Sequence, residues 1–187
     1  MDSEQAGQAV EQSQYLTFFI ADEEYAVSII RVKEIIQYDT LTKVPKTPRW
    51  IRGVINLRGG VVPVVDLAVK FGLPDTAITG SACIVITEVE IEGETTVMGV
   101  LADSVSQVID LRADDIEPPP AFGTRINVDY LRGMGKSGKK FVLMLDVDKV
   151  LSAEELLDTA ALTSAGVEVA AGAAALDESV VQMEAGD

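Results

Sequence analysis

The sequence predicts a mainly β protein built as small barrels or a sandwich, and three observations predict it. Turn signals recur about every eight to twelve residues. No stretch sustains a long helical period, and one tetrapeptide pattern occurs twice with equal downstream spacing.

Tyr15 to Ala21 alternates and is rich in aromatic and β-branched residues, so it reads as a strand; Asp22-Glu23-Glu24 turns the chain, and Tyr25 to Ser28 returns. Ile29 to Tyr38 is ambiguous in period but β-rich. Val44-Pro-Lys-Thr-Pro48 is a stiff connector, and Thr47 before Pro48 reads as a helix cap that opens one short turn and places Trp50. Two strands follow, Gly53 to Leu57 and Val61 to Asp66, meeting at Arg58-Gly59-Gly60, where paired glycines supply positive φ. Their β-branched and leucine residues predict burial on both faces. The turn displays Arg58, whose planar fork suits carboxylates or carbonyls, although a solvated turn arginine is the plain alternative.

Leu67 to Phe71 reads as a second short turn closed by Gly72-Leu-Pro74, and Asp75 to Ser81 as a loop. Ala82 to Ile91, Thr95 to Leu101 and Ser104 to Leu111 read as strands, the first two joined at Glu92-Gly93-Glu94. Glu117-Pro-Pro-Pro120 cannot enter a central strand and reads as a stiff arm carrying Phe122 outward. Tyr130 to Met134 and Lys140 to Asp146 complete the β pattern, and Ser152-Ala-Glu-Glu155 is a capping box that opens a helix to about Leu162.

Trp50-Ile-Arg-Gly53, followed thirteen residues later by Asp66-Leu67, is echoed by Tyr130-Leu-Arg-Gly133, followed thirteen residues later by Asp146-Val147. Val32-Lys-Glu-Ile-Ile36 is echoed more weakly by Val105-Ser-Gln-Val-Ile109. We read two related, intertwined β units of about 60 to 70 residues each. Their expected division is residues 30–80 for one and 15–30 plus 81–150 for the other, inside a body at 15–157. Residues 1–14 are expected to be a flexible acidic start. Residues 158–187 are expected to be an acidic, Ala-rich tail, disordered or weakly helical, because so little apolar area cannot offset the ordering entropy.

The net charge of −15 divides unevenly. Residues 152–187 hold eight acids and no Lys or Arg, and residues 1–14 hold three acids and none, so the body is only mildly acidic. Within the body Arg31, Lys33, Lys43, Lys46, Arg49, Arg52 and Arg58 gather around the central hairpin, pointing to an acidic protein partner. Nucleic acid is the poorer reading, because the whole molecule repels phosphate at range. No segment reaches the ~18 apolar residues of a membrane helix, so no membrane insertion is expected. The one cysteine, Cys83, lies in an apolar strand run and reads as a buried small hydrophobe, in keeping with a cytoplasmic protein.

No histidine occurs, which removes the commonest general base and most zinc sites. The glycine pairs lack phosphate-loop context. Asp146-Val-Asp148 and Glu88-Val-Glu90 each place two acids on one strand face, and a solvated face is favoured over an acid-base pair. No catalytic residue, cofactor or metal is therefore expected. The reading from another class is a carboxylate-dependent hydrolase of small-barrel fold, which requires two acids converging in a pocket with a raised pKa.

Asp22-Glu-Glu-Tyr25, Val32-Lys-Glu-Ile35, Thr47-Pro48 through Asn56-Leu-Arg-Gly59, Val62-Pro-Val-Val-Asp-Leu67, Val105-Ser-Gln-Val108 and Asp114-Asp-Ile-Glu-Pro-Pro119 together resemble the chemotaxis coupling proteins, the CheW family, over Tyr15 to Leu157. The resemblance implies two tandem five-stranded SH3-like barrels and an adaptor without catalytic activity. It would be monomeric alone, cytoplasmic, and recruited to membrane-associated receptor arrays. It implies two partners: the helical-hairpin tip of a methyl-accepting chemoreceptor, and the regulatory domain of the histidine kinase CheA, itself a double barrel of this kind. A related chemosensory pathway, driving pili or another output, is the alternative. By matching position, Val32, Glu34, Ile35, Gly53, Asn56, Arg58, Val105 and Val108 would carry the receptor groove and its rim, with Glu34 and Arg58 close enough to pair. Leu41, Glu117 and Phe122 would face the kinase, Glu117 standing where some relatives carry a basic residue.

Overall fold

The computed structural model describes residues 12–121 and 126–150. The expected Phe122 arm, the capping box at Ser152 to Glu155 and the tail at 158–187 therefore lie outside the described residues. Eleven strands are described: β1 (Gln12–Ile20), β2 (Glu23–Ser28), β3 (Val32–Gln37), β4 (Ile51–Leu57), β5 (Gly60–Val65), β6 (Cys83–Ile91), β7 (Glu94–Ala102), β8 (Ser104–Arg112), β9 (Ile116–Glu117), β10 (Leu131–Ser137) and β11 (Lys140–Leu145). Single helical turns, α1 (Leu67–Lys70) and α2 (Val147–Val150), follow β5 and β11. β1 opens three residues before Tyr15, within the span expected to be flexible.

One sheet has the order β3-β6-β7-β5-β4, the other β8-β1-β2-β11-β10-β9. The two orders are the same pattern. An edge strand lies antiparallel to a hairpin, whose second strand lies parallel to the inner strand of a second hairpin. A Thr42–Val54 bridge in the first sheet takes the place that β9 has in the second. Along the chain each repeat runs hairpin, edge strand, hairpin, helical turn, yet the leading hairpins are exchanged. β1–β2 joins the sheet of β8 to β11, and β6–β7 joins the sheet of β3 to β5. This corrects the expected division, which placed residues 81–102 with the second unit. Sequence order alone cannot show a pairing that skips across the repeat boundary.

The exchange explains why the leading hairpins are apolar on both faces. Each sheet curls around a small core of its own, Val62, Val64, Ile84, Ile86 and Leu101 in one, Ala26, Leu111, Val142 and Met144 in the other. The opposite faces of the same strands meet between the barrels in a larger core that includes Leu16, Phe18, Ile20, Tyr25, Val85, Met98, Val100 and Leu145. On β6, alternate residues Cys83 and Val85 face this shared core while Ile84 and Ile86 face the barrel interior. Burial raises the Cys83 thiol above its usual range, so it packs as an inert hydrophobe.

The recurring tetrapeptide is a recurring piece of structure. A bulge lies between Ile51 and Gly53 on β4 and between Leu131 and Gly133 on β10. The Asp66 N–H donates to the Trp50 carbonyl at 2.7 Å, and the Asp146 N–H to the Tyr130 carbonyl at 2.9 Å. At Gly53, where φ is +151°, a Cβ would meet the Thr42 carbonyl oxygen at 2.6 Å; at Gly133 it would meet that of Glu117 at 2.5 Å. Both glycines let an outer segment press onto the bulged strand. The predicted Thr47 cap differs: its hydroxyl donates to the Val44 carbonyl at 3.0 Å, and Ile51 N–H to Pro48 carbonyl closes the single turn that sets Trp50.

The β1–β2 turn is Ala21-Asp22, both at positive φ. The Asp103 carboxylate holds it by accepting the Ala21 N–H at 2.9 Å. Burial, and then the charges of Asp22 and Asp66, outweigh the backbone hydrogen bonds and raise the Asp103 pKa above the usual aspartate range. A carboxyl whose folded pKa lies above its unfolded value contributes stability that is complete at acidic pH and lost as pH rises through the folded pKa.

Two outcomes follow for stability. Gly53→Ala and Gly133→Ala each cost about 2 kcal/mol or more, from overpacking against a backbone carbonyl; Gly93→Ala, with open space but a φ of +83°, costs about 1 kcal/mol. Urea melts compare the three, and equal midpoints would show that the outer segments yield. Asp103→Asn keeps an acceptor for Ala21 and removes the part-buried charge. Its thermal midpoint is expected above the parent's at neutral pH and level with it below the aspartate range; a gap that widens in acid would contradict the sign.

Candidate functional site

The central hairpin ends in a two-residue turn with Arg58 at φ +52° and Gly59 at +85°. Both central residues are therefore left-handed, the geometry that matches strand twist. Gly60 is the first residue of β5, so the paired-glycine explanation is corrected: Arg58 itself adopts the positive φ, at a cost of roughly 1 kcal/mol. Asn56 steadies the turn, its Oδ1 accepting the Gly59 N–H at 2.9 Å. The hairpin is buried at its root, where Val62, Pro63, Val64 and Val65 lie, and exposed at its tip.

Arg58 Nη2 reaches Glu34 Oε2 of β3 at 3.4 Å, with the arginine side chain 81% exposed. So open a pair contributes under about 1 kcal/mol, and its consequence is to hold the guanidinium beside β3. On β3, an edge strand, Val32 packs against the shared core and Ile35 is 44% exposed. On β8, the matching edge strand of the other barrel, Val105 packs against that same core and Val108 is 49% exposed. Each edge strand carries a bulge, between Val32 and Glu34 on β3 and between Val105 and Val108 on β8. In β8 the bulge is filled by Thr17, whose hydroxyl donates to the Gln107 carbonyl at 3.2 Å.

The structure brings Asn56 and Arg58 of the hairpin tip beside Glu34 of β3, with Val32 and Ile35 on that same edge strand, and Val105 and Val108 hold the corresponding positions on β8. It does not join Gly53 to them. Gly53 is buried beneath Thr42, so an aspartate there breaks the strand packing instead of roughening a groove. Ile30, 81% exposed in the helical turn before β3, extends the apolar surface, and the adjacent Ile29-Ile30 pair was its signal in the sequence.

Leu41 packs at the margin of the first barrel's core, next to the Thr42 bridge. Glu117 is the last residue of β9, a two-residue strand on β10, and its carboxylate pairs with Lys136 Nζ at 2.8 Å. The three prolines begin only after it, so the stiff arm starts one residue later than expected. Through the repeat, Leu41 and Glu117 lie on corresponding outer segments of different barrels. Phe122 lies outside the described residues.

The acids noted in the sequence have structural partners. Lys33 pairs with Glu88 at 2.5 Å, and Arg31 with Asp148 at 2.6 Å, while Asp148 also accepts the Glu90 N–H at 2.7 Å. These ties pin the segment entering β3 to α2 and β6. Asp66, which in the sequence marks only the end of the repeated motif, is fully buried; it caps α1 through the Ala68 N–H, accepts both the N–H and hydroxyl of Thr76, and meets Arg52 at 3.4 Å. Asp22, Asp75 and Asp103 line one open cavity of about 410 Å³, but Asp103 is committed to the Ala21 turn. Among the described residues no group of three acids or cysteines is arranged to hold a metal, and no helix is long and apolar enough to cross a membrane.

Residues 14–155 match the family model described as a CheW-like domain. The chain is 37% identical over 154 residues to the chemotaxis protein CheW of Klebsiella aerogenes, covering 82% of this chain and 90% of that one. It is 33% identical over 141 residues to that of Bacillus subtilis, covering 74% and 86%. The crystal structure of the scaffolding protein TtCheW from Thermoanaerobacter tengcongensis superposes with a TM-score of 0.69 at 31% identity, over 78% of this chain and 97% of that one. Two exchanged barrels, the duplicated bulged hairpins and these similarities lead to one conclusion: the chain belongs to the CheW family, the scaffold proteins of chemotaxis, which are adaptors and not enzymes.

Proposed function

We propose that this chain couples methyl-accepting chemoreceptors to the histidine kinase CheA by binding both in a cytoplasmic signalling array. The observation that carries the receptor half is the pair of equivalent edge strands. Each seats a valine, Val32 or Val105, on the shared core and leaves a large apolar neighbour, Ile35 or Val108, open to solvent. An amphipathic helical hairpin buries its apolar stripe on such a surface. The Glu34–Arg58 pair at the side of β3 supplies a guanidinium for helix carbonyls or carboxylates. Asn56 keeps that guanidinium in register through the turn.

The kinase half rests on Leu41, Glu117 and Phe122. Leu41 offers an apolar tip beside a short bridge. Glu117 is already matched by Lys136, whose amine it raises above the usual lysine range, so that contact brings little net charge. A kinase domain built as the same double barrel would meet these barrel ends side by side. Each contact is modest, and an array gains strength from their number.

Calorimetry with a receptor cytoplasmic fragment and with the kinase regulatory domain tests the assignment. Ile35→Asp and Val108→Asp are each expected to weaken receptor binding about tenfold or more, or roughly 1.4 kcal/mol, and to leave kinase binding unchanged. Arg58→Ala is expected to weaken receptor binding a few-fold while costing under about 1 kcal/mol of stability. Unaltered receptor affinity in all three variants would remove the receptor surface proposed here.

A further inference from the structure

Positive charge is unevenly matched among the described residues. Arg31, Lys33, Arg58 and Lys136 each have an acid within 4 Å. Around a groove of about 370 Å³ on the first barrel the balance differs. Arg49 and Arg52 share the single exposed carboxylate of Asp75, at 3.0 and 3.4 Å. Lys43, on the same groove, and nearby Lys46 are exposed and have no acidic partner among the described residues. Tyr38, Leu41, Val44 and Ile51 supply the apolar part of the lining. The groove is a cationic trough with an apolar floor, and α1 with its buried Asp66 cap anchors it through Arg52.

The chain carries its own complement. Residues 152–187 hold eight acids and no lysine or arginine, and most of them follow the CheW-like match, which ends at 155. We propose that this acidic segment docks in the Lys43–Arg49–Arg52 groove of its own chain and, in doing so, covers Leu41. Reach is ample: the segment extended spans on the order of 100 Å, against a radius of gyration of roughly 16 Å for a folded chain of this length. Tethering gives an effective concentration on the order of millimolar, so weak ion pairs suffice. Leu41 belongs to the kinase surface proposed above, and on that reading the docked segment and the kinase compete for one face. The segment then acts as a salt-sensitive brake on assembly.

Zero-length carbodiimide coupling of the full chain, mapped by mass spectrometry, tests the docking without any partner. Joining of Lys43 and Lys46 to carboxylates of 152–187 is expected at low salt. It should be reduced several-fold by Arg49→Glu and nearly lost at about 0.5 M salt, where screening shortens to a few ångströms. Mixing isotopically heavy and light chains assigns the links to one molecule; links only between molecules overturn the proposal. So do links that favour Lys139 and Lys140, the unmatched lysines of the β10–β11 turn, or that spread evenly over all lysines. A second arm measures affinity for the kinase regulatory domain. Converting the eight acids to amides is expected to raise it several-fold, and equal affinity overturns the competition. If neither form binds kinase, the coupling reading falls, while the cross-links still decide the docking.

Discussion

The exchange of leading hairpins between the two barrels is the constraint from which the rest of the structure follows. Because β1–β2 and β6–β7 each cross to the other repeat's sheet, these four strands are central, and they present one face to a barrel interior and the other to the neighbouring barrel. Neither barrel is complete without chain from both repeats. The shared core is consequently larger than either barrel's own, and it holds the aromatic series Phe18, Tyr25, Phe71 and Tyr130 with ring centroids 5.8–6.5 Å apart. Lys70 lies over the Trp50 ring at 4.5 Å and the Tyr130 ring at 6.0 Å, covering the two residues that open the repeated tetrapeptide.

That arrangement also dictates where a partner can be met. With the hairpins consumed by the core, the strands left at the sheet edges are β3 and β8, together with β4 and β9 on the far sides. Edge strands in soluble proteins are protected by bulges, short length or charge. Here β3 and β8 are both bulged, β9 is two residues long, and β3 carries the charged pair Lys33-Glu34 between Val32 and Ile35. Of the exposed large apolar residues among the described ones, Ile35 and Val108 lie on edge strands β3 and β8 and Ile30 just before β3, while Ile78, Val128 and Phe141 lie elsewhere on the surface.

Much of this was legible in the residues. The alternation, the turn residues and the thirteen-residue spacing located nearly every strand and the duplication itself, because each is a local consequence of period and turn chemistry. The ion pair of Glu34 with Arg58 came from the family resemblance and stands in the structure at 3.4 Å. Three features were not legible. The partnership of β6–β7 depends on long-range pairing, which leaves no mark in either hairpin's own composition. The resemblance implies a receptor-groove role for Gly53, yet its need for glycine comes from the Thr42 carbonyl, eleven residues away in sequence. The weight carried by Asp66 was hidden because a buried carboxylate in a Val-Asp-Leu run looks, in sequence, like an ordinary strand end.

The repeats have diverged where divergence matters to an adaptor. Glu34 corresponds to Gln107, and Arg58 to Gly138, so the guanidinium beside an edge strand is a property of the first barrel alone. The outer segments differ as well: Leu41 and Thr42 lead into a cationic groove on one barrel, whereas Glu117 on the other is neutralised by Lys136. The interior positions have changed much less, since Gly53 and Gly133, Asp66 and Asp146, and both bulges serve the same contacts. Packing of the common scaffold holds the inner residues to one solution, while the outer faces are free to differ in charge. A doubled fold of equal halves would offer the same surface twice; this one offers two different surfaces across one rigid core, which is what joining unlike partners requires.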